Sequence, residues 1–278
     1  MVRLGAFVAG LGFVAALLLS IFTTPLKNEP NVAYSFVKHP REVKLASDGL
    51  MPHWDTAQLQ RGLKVYKEVC SACHGISQVA FRDLADLGYD EGQIKAFAKG
   101  FQVPSVNPET GEAATREAVA ADKFPSPFAN EVAARAANNG AVPPDLSLIT
   151  KAREGGQHYI YSLLTGYVDP TTYKNEEGKL LPKELQPTGV LAFNPYFPNL
   201  NLAMAAPLAV DGQVTYDDGT TATVDQMAKD VTAFLVWTAE PNQVSRVWAG
   251  WAVLGFLAIF TVLAYMSYQA IWADKKKQ

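Results

Sequence analysis

The chain has 278 residues with 24 basic and 27 acidic side chains, a net charge of −3 and 49% hydrophobic residues. That balance excludes a nucleic-acid-binding protein, which carries a strong basic excess, and a disordered chain, which lacks apolar residues. There is no internal repeat or low-complexity tract, so the composition is that of one globular domain with apolar ends.

The first apolar run, residues 4–22, follows Arg3 and is about one bilayer long. A secretory signal has a shorter apolar core and a small-residue cleavage site. This run ends instead at Thr23-Thr24-Pro25. A retained anchor over residues 1–26 is therefore the expectation, with a cleaved signal peptide as the alternative. Either way the N-terminus lies inside and the domain, residues 27–241, outside.

Asp55 followed by Gln58 has the form of a capping box, and Leu59, Leu63, Tyr66 and Cys70 recur at helical spacing behind it. That helix delivers Cys70-Ser71-Ala72-Cys73-His74, and Gly75 stops it. Two thiols two residues apart suit addition to the two vinyl groups of a porphyrin, and the histidine beside them suits the iron. The pentad thus reads as a c-type haem attachment site. A redox dithiol does not call for the histidine, and a zinc site wants a second pair of soft ligands, whereas these are the chain's only cysteines. Haem c places the domain on the outer, periplasmic side of an energy-converting membrane. A domain of about 200 residues needs no disulfide there to bury its core.

Further helices are predicted over residues 90–100, 131–137, 146–153 and 159–164, with residues 103–130 as a surface excursion. Asn138-Asn139-Gly140 and Pro143-Pro144 end the 131–137 helix. Asp211-Gly212 and Asp218-Gly219 within residues 210–223 are hairpin signals. Thr223 and Gln226 then open a helix with Met227, Val231, Phe234, Leu235 and Thr238 on one face, closed before Pro241. Residues 247–273 contain no charge, carry Trp248, Trp251, Tyr265, Tyr268 and Trp272 toward their ends, and run into Lys275-Lys276-Lys277. This is a membrane span with aromatic belts and a cytoplasmic C-terminus. The anchor segment is residues 242–278. The fold expected is mainly α, a class I c-type cytochrome domain with a small β-hairpin and long loops.

The sixth iron ligand separates an electron carrier from a haem enzyme. A thioether opposite the histidine closes the iron and raises its potential; an open position admits substrate. Met204 lies in a Pro-bounded loop, residues 193–208, of the kind that brings a distal ligand. Met227 sits on an apolar helix face and reads as core, while Met51 and His158 stay open as alternatives.

Several blocks carry a resemblance: Leu59-Gln60-Arg61-Gly62, Ala133 to Gly140, Pro143-Pro144-Asp145-Leu146-Ser147, Ser162 to Tyr167, Phe193 to Pro198 and Trp237 to Pro241. With the Cys-x-x-Cys-His pentad they resemble the cytochrome c1 family, the haem-bearing subunit of the quinol–cytochrome c reductase (bc1) complex, from about His53 to the C-terminus. The resemblance implies one covalent haem c on Cys70 and Cys73, ligated by His74 and Met204. It puts Asn138, Pro144 and Tyr159 around the haem and Arg153 beside a propionate. It implies cytochrome b, a Rieske iron–sulfur protein and cytochrome c as partners, with no catalytic acid, base or nucleophile in this chain. Three rivals remain: a membrane-anchored cytochrome serving a terminal oxidase, a haem enzyme with an open distal site, and an assembly or docking protein whose haem is structural.

Overall fold

Two helices cross at the centre of the molecule. In the computed structural model, which describes residues 2–23, 32–273 and 275, helix α2 (Thr56–Val65) packs across α7 (Val224–Ala239). The crossing is close because of Gly62: a Cβ there would lie 2.1 Å from the Asp230 carbonyl oxygen and 2.6 Å from Phe234 Cβ. Leu59, Leu63 and Tyr66 from one side and Met227, Val231, Phe234 and Trp237 from the other are buried around it. Each such Leu, Met or Phe contributes roughly 1.5–3 kcal/mol of gross transfer free energy.

Both helices open on the predicted caps, with one difference. Asp55 accepts from Gln58 N–H (3.0 Å) and Thr223 Oγ1 from Gln226 N–H (3.1 Å). Neither glutamine side chain turns back to complete its box. Both reach Asp230, Gln58 Nε2 at 3.1 Å and Gln226 Nε2 at 2.8 Å, where Arg61 Nε also donates at 2.9 Å. Asp230 is fully buried, so its charge requires these donors. The crossing is therefore sterically and electrostatically specified.

Around this pair lie α3 (Glu91–Ala98), α4 (Glu131–Ala137), α5 (Ile149–Ala152) and α6 (Gly156–Leu164). Helix α4 has the expected bounds; α5 is shorter than residues 146–153, and α6 starts before residue 159. The hairpin lies elsewhere than expected. Strands β1 (Gln102–Val106) and β2 (Ala113–Glu117) pair antiparallel inside the stretch read as a surface excursion. Their turn is organised by Asn107, whose side chain accepts from Glu109 N–H at 2.9 Å. Residues 210–223 contain no strand. Their aspartates pair outward with α2, Asp218 with Arg61 (2.6 Å) and Asp217 with Lys64 (2.8 Å), so the Asp-Gly turns fold against a helix.

A second, smaller core of Phe36, Tyr173, Leu181, Phe193 and Leu200 joins the N-terminal segment to residues 165–200. There Tyr173 OH donates to Phe36 O (2.9 Å) and Lys38 N–H to Pro195 O (2.8 Å). The Arg41 guanidinium sits 5.2 Å over the Tyr161 ring and 5.5 Å over Tyr196. Strands β3 (Ala192–Phe193) and β4 (Asn201–Leu202) form a minimal second hairpin here.

Helix α8 (Gln243–Trp272) is 30 residues long with no buried residue. At 1.5 Å per residue it extends about 45 Å, enough to cross a bilayer. The Lys275 ammonium lies 5.6 Å over the Trp272 ring, while Lys276 and Lys277 fall outside the described residues. Residues Val2–Thr23 form helix α1, apolar over Leu4–Ser20; the expected boundary at residue 26, with Thr24-Pro25, lies outside the described residues.

Candidate functional site

The Cys-x-x-Cys-His pentad sits where α2 changes pitch. After Val65 the helix winds wide, Ser71 N–H bonding to Tyr66 O five residues back at 2.8 Å. It then tightens, with Cys73 N–H (3.1 Å) and His74 N–H (2.9 Å) both on Cys70 O. Wide turns of this kind recur at functional positions because they re-aim side chains without ending the helix. Cys70 is half-buried and Cys73 exposed, and no disulfide joins them. Before a group is attached, burial, with Cys73 nearby, pushes the Cys70 thiol up to about 12.

The segment Pro144–Ser147 grips the pentad from outside. His74 Nδ1 donates to Pro144 O at 2.8 Å. A carbonyl can only accept, so the proton is on Nδ1 and the Nε2 lone pair is free for a metal. Leu146 N–H bonds Gly75 O (2.8 Å), Asp145 accepts from Ser77 N–H (2.9 Å), and Ser147 Oγ accepts from Gln78 N–H (3.0 Å). From the core side Tyr66 OH donates to His74 O at 3.0 Å. Burial lowers the His74 pKa against the opposing pull of the Pro144 carbonyl and Asp145, which favours the neutral, ligating imidazole. Burial alone would raise the Asp145 carboxyl, but hydrogen bonds from Ser147 and Ser77 outweigh it and hold it below the ordinary range.

The Met204 loop is held by α6. Asn194, fully buried, donates to Leu163 O (2.7 Å) through its side chain and to Leu200 O (2.7 Å) through its backbone. Gly166 admits the Tyr196 ring, since a Cβ there would come within 2.4 Å of it. Leu200 takes a left-handed φ of 64°. Met204 is half-buried, and its carbonyl accepts from Tyr167 OH at 3.0 Å. Burial raises the Tyr167 hydroxyl, with Tyr159 adding to it; burial also raises Tyr159, against the nearby Arg153 guanidinium. Tyr167 is thus tied to Met204 by a hydrogen bond, with Tyr159 in electrostatic reach of Tyr167 and Arg153 in electrostatic reach of Tyr159.

Sequence reasoning gave roles to Arg153, Tyr159 and Met204 here; it placed Tyr66 only on a helix face and gave no individual role to Tyr167, Asn194 or Asp145, although these three lie in blocks that it quoted. The Asn138 side chain donates to Ala134 O (2.7 Å) at the end of α4. Of the other ligand candidates, His158 Nδ1 accepts from Val43 N–H at 3.1 Å, which uses the lone pair of the neutral ring. Met227 is fully buried in the helix crossing, and Met51 is exposed on a loop beside α8. Among the described residues no group of three or more His, Cys, Asp and Glu side chains is placed to hold a metal ion, so the zinc reading lacks a ligand set. Two thiols on one turn, an imidazole with a free Nε2 and a thioether on a docked loop fit haem c.

Comparison with known proteins agrees. The family model described as "Cytochrome C1 family" matches residues 45–275. The chain is 46% identical over 235 residues to "Cytochrome c1" of Rhodospirillum rubrum, covering 82% of this chain and 85% of that protein. It is 46% identical over 235 residues to "Cytochrome b/c1" of Bradyrhizobium diazoefficiens, covering 80% of this chain and 34% of that protein. It is 40% identical over 239 residues to "Cytochrome b-c1 complex catalytic subunit, mitochondrial" of Candida albicans, covering 86% of this chain and 77% of that protein. This chain belongs to the cytochrome C1 family and, as its members do, carries covalently bound haem c.

Proposed function

We propose that this chain is the haem-bearing electron-transfer subunit of a bc1 complex, taking electrons from a Rieske iron–sulfur protein and passing them to cytochrome c. The observation that carries the reading is the His74 Nδ1 to Pro144 O hydrogen bond (2.8 Å), which fixes the tautomer that leaves Nε2 for iron directly beside the two thiols. Cys70 and Cys73 would hold the group through thioethers, and His74 Nε2 and the Met204 thioether would ligate its iron. Arg153 would neutralise a propionate and Tyr159 would line the pocket, while the Pro144 carbonyl orients the His74 ring. The bound group supplies reversible one-electron exchange. The protein's part is to keep both ligands in place through the redox change, so that little reorganises, and to deny the iron an open position. No residue serves as catalytic acid, base or nucleophile; reductase activity belongs to the complex.

The relative named as a cytochrome b/c1 protein supports cytochrome b as a neighbour. Helix α8 is the membrane anchor, with the haem domain periplasmic, the C-terminus cytoplasmic and α1 retained as a second anchor. The crossing of α2 and α7 at Gly62 supports the class I cytochrome plan.

Two measurements test this. Purification from membranes should bring b-type haem and a Rieske protein with quinol–cytochrome c reductase activity; a terminal oxidase as companion would overturn the assignment. Met204→Leu should keep covalent haem, lower the potential by on the order of 0.1–0.3 V within the roughly 0.8 V that axial ligands span, and admit carbon monoxide. An unchanged potential without carbon monoxide binding would remove Met204 from the ligand set.

A further inference from the structure

The turn at residues 45–53 is built against the first turns of α8. It is closed by His53 N–H on Ala46 O (3.0 Å) and Asp48 N–H on Leu45 O (3.1 Å), and Gly49 turns it with a left-handed φ of 83°. The carboxylate of Asp48 points inward, accepting from Leu45 N–H (2.9 Å) and Gln157 Nε2 (2.9 Å). The tip, Gly49-Leu50-Met51, is therefore uncharged, and Leu50 and Met51 are each 72% exposed.

Three donors from α8 fix the height of this tip. Trp251 Nε1 donates to Leu50 O (2.8 Å), Trp248 Nε1 to Pro52 O (3.1 Å) and Gln243 Nε2 to Ser47 O (3.3 Å). Trp248 and Trp251 are the aromatic belt of the anchor and mark the boundary between headgroups and acyl chains. A backbone carbonyl bonded to each of them lies at the same depth. Two large apolar side chains held there, with the nearest acid turned away, match an interfacial contact in composition.

We propose that the Gly49-Leu50-Met51 tip is seated in the outer membrane interface as a second, non-spanning contact that sets the tilt of the haem domain over the lipid. The occupant of this apolar surface is lipid, because the patch is continuous with the lipid-facing surface of α8. The inference rests on α8 being the membrane anchor.

The test uses the assembled complex in lipid vesicles. Cys70 and Cys73 are consumed by haem, so Leu50→Cys or, if that fails to assemble, Met51→Cys gives a single attachment site on this chain for a nitroxide. Collision with dissolved oxygen reports lipid, and collision with a water-soluble nickel chelate reports solvent. Leu257→Cys on α8 and Val132→Cys on α4, both on exposed side chains, give the lipid and water references. The expected result at residue 50 or 51 is oxygen collision exceeding nickel collision, as at residue 257. Nickel collision at the level of residue 132 overturns the proposal. Protection from both, which means cover by cytochrome b or a second copy of the chain, overturns it as well. A lipid signal at residue 257 with either of those results at the tip leaves the anchor reading standing; no lipid signal at residue 257 removes the anchor reading itself.

Discussion

The two sides of the candidate haem site are held in different ways. On the proximal side everything that positions His74 is short-range in space and mostly backbone: the Pro144 carbonyl, Leu146 N–H on Gly75 O, and Asp145 across Ser77 and Ser147. On the side proposed as distal, Met204 hangs on a loop fixed at a distance by Asn194, by the Gly166–Tyr196 contact and by one hydroxyl, Tyr167 on the Met204 carbonyl. A covalently attached group needs a rigid floor, because the thioethers and the imidazole must be placed together. Its second ligand needs only enough support to outcompete water. Damage to the proximal side should therefore register as lost stability, and damage to the distal side as a changed potential.

The frame common to both sides is the α2–α7 crossing, and the largest effect is expected there. Gly62→Ala drives a methyl into the Asp230 carbonyl, a backbone atom that can retreat only if the helices part. The expected cost is about 3 kcal/mol or more, at the upper end for overpacked cores. Covalent haem recovered in membranes, with thermal unfolding of what remains, measures it. Wild-type stability would mean that the helices are not packed this closely.

Asp145→Ala tests the proximal grip. It strips acceptors from Ser77 N–H and Ser147 N–H, at about 1–3 kcal/mol in total where the donors cannot reach water. The melting temperature should drop while the potential stays close to wild type. A large potential shift with normal melting would reverse the comparison.

Tyr167→Phe tests the distal grip in the opposite sense. Removing one hydroxyl costs about 1 kcal/mol, and the ring still packs. The charge-transfer band from methionine to ferric iron should be lost at lower temperature than in wild type, with global unfolding little changed. If the two transitions moved together, the loop would be part of the cooperative core.

A control far from both sides is the Arg116–Asp122 pair behind the β1–β2 hairpin. The Arg116 hydrogen bond and Val119 N–H hold the Asp122 carboxyl at about 2, below its ordinary 3.8. A depressed carboxylate stabilises the fold above the unfolded pKa, and that contribution disappears as pH falls through about 2. Asp122→Asn should therefore narrow the stability gap between pH 5 and pH 2 slightly, leaving the haem spectrum unchanged. An equal gap in wild type and variant would show that the pair contributes nothing.

Much of this molecule was readable in advance where chemistry is local. The haem pentad needs its residue types at that spacing whatever surrounds them, the caps at Asp55 and Thr223 sit where expected, and the uncharged run of α8 follows from bilayer thickness. Pro144 was named, but its role was not, since a carbonyl carries no signature in a side-chain sequence. The hairpin went to the wrong segment for a related reason. Asp-Gly pairs at 211–212 and 218–219 signal turns equally well when their carboxylates bond a neighbouring helix. Strands β1 and β2 carry a single buried residue, Val103, and their sequences Gln-Val-Pro-Ser-Val and Ala-Ala-Thr-Arg-Glu show no apolar–polar alternation to detect.

The sequence by itself determined the family, its haem c and an apolar C-terminal helix long enough to cross a bilayer, because each rests on contiguous residues or on length. Only the tertiary structure decided which lone pairs are in use. Val43, over a hundred residues away in the chain, occupies His158 Nδ1; Pro144, seventy residues from the motif, sets the His74 tautomer; and Tyr167 reaches the Met204 backbone. Hydrogen bonds between such distant segments depend on how the chain closes on itself, and no local pattern encodes them.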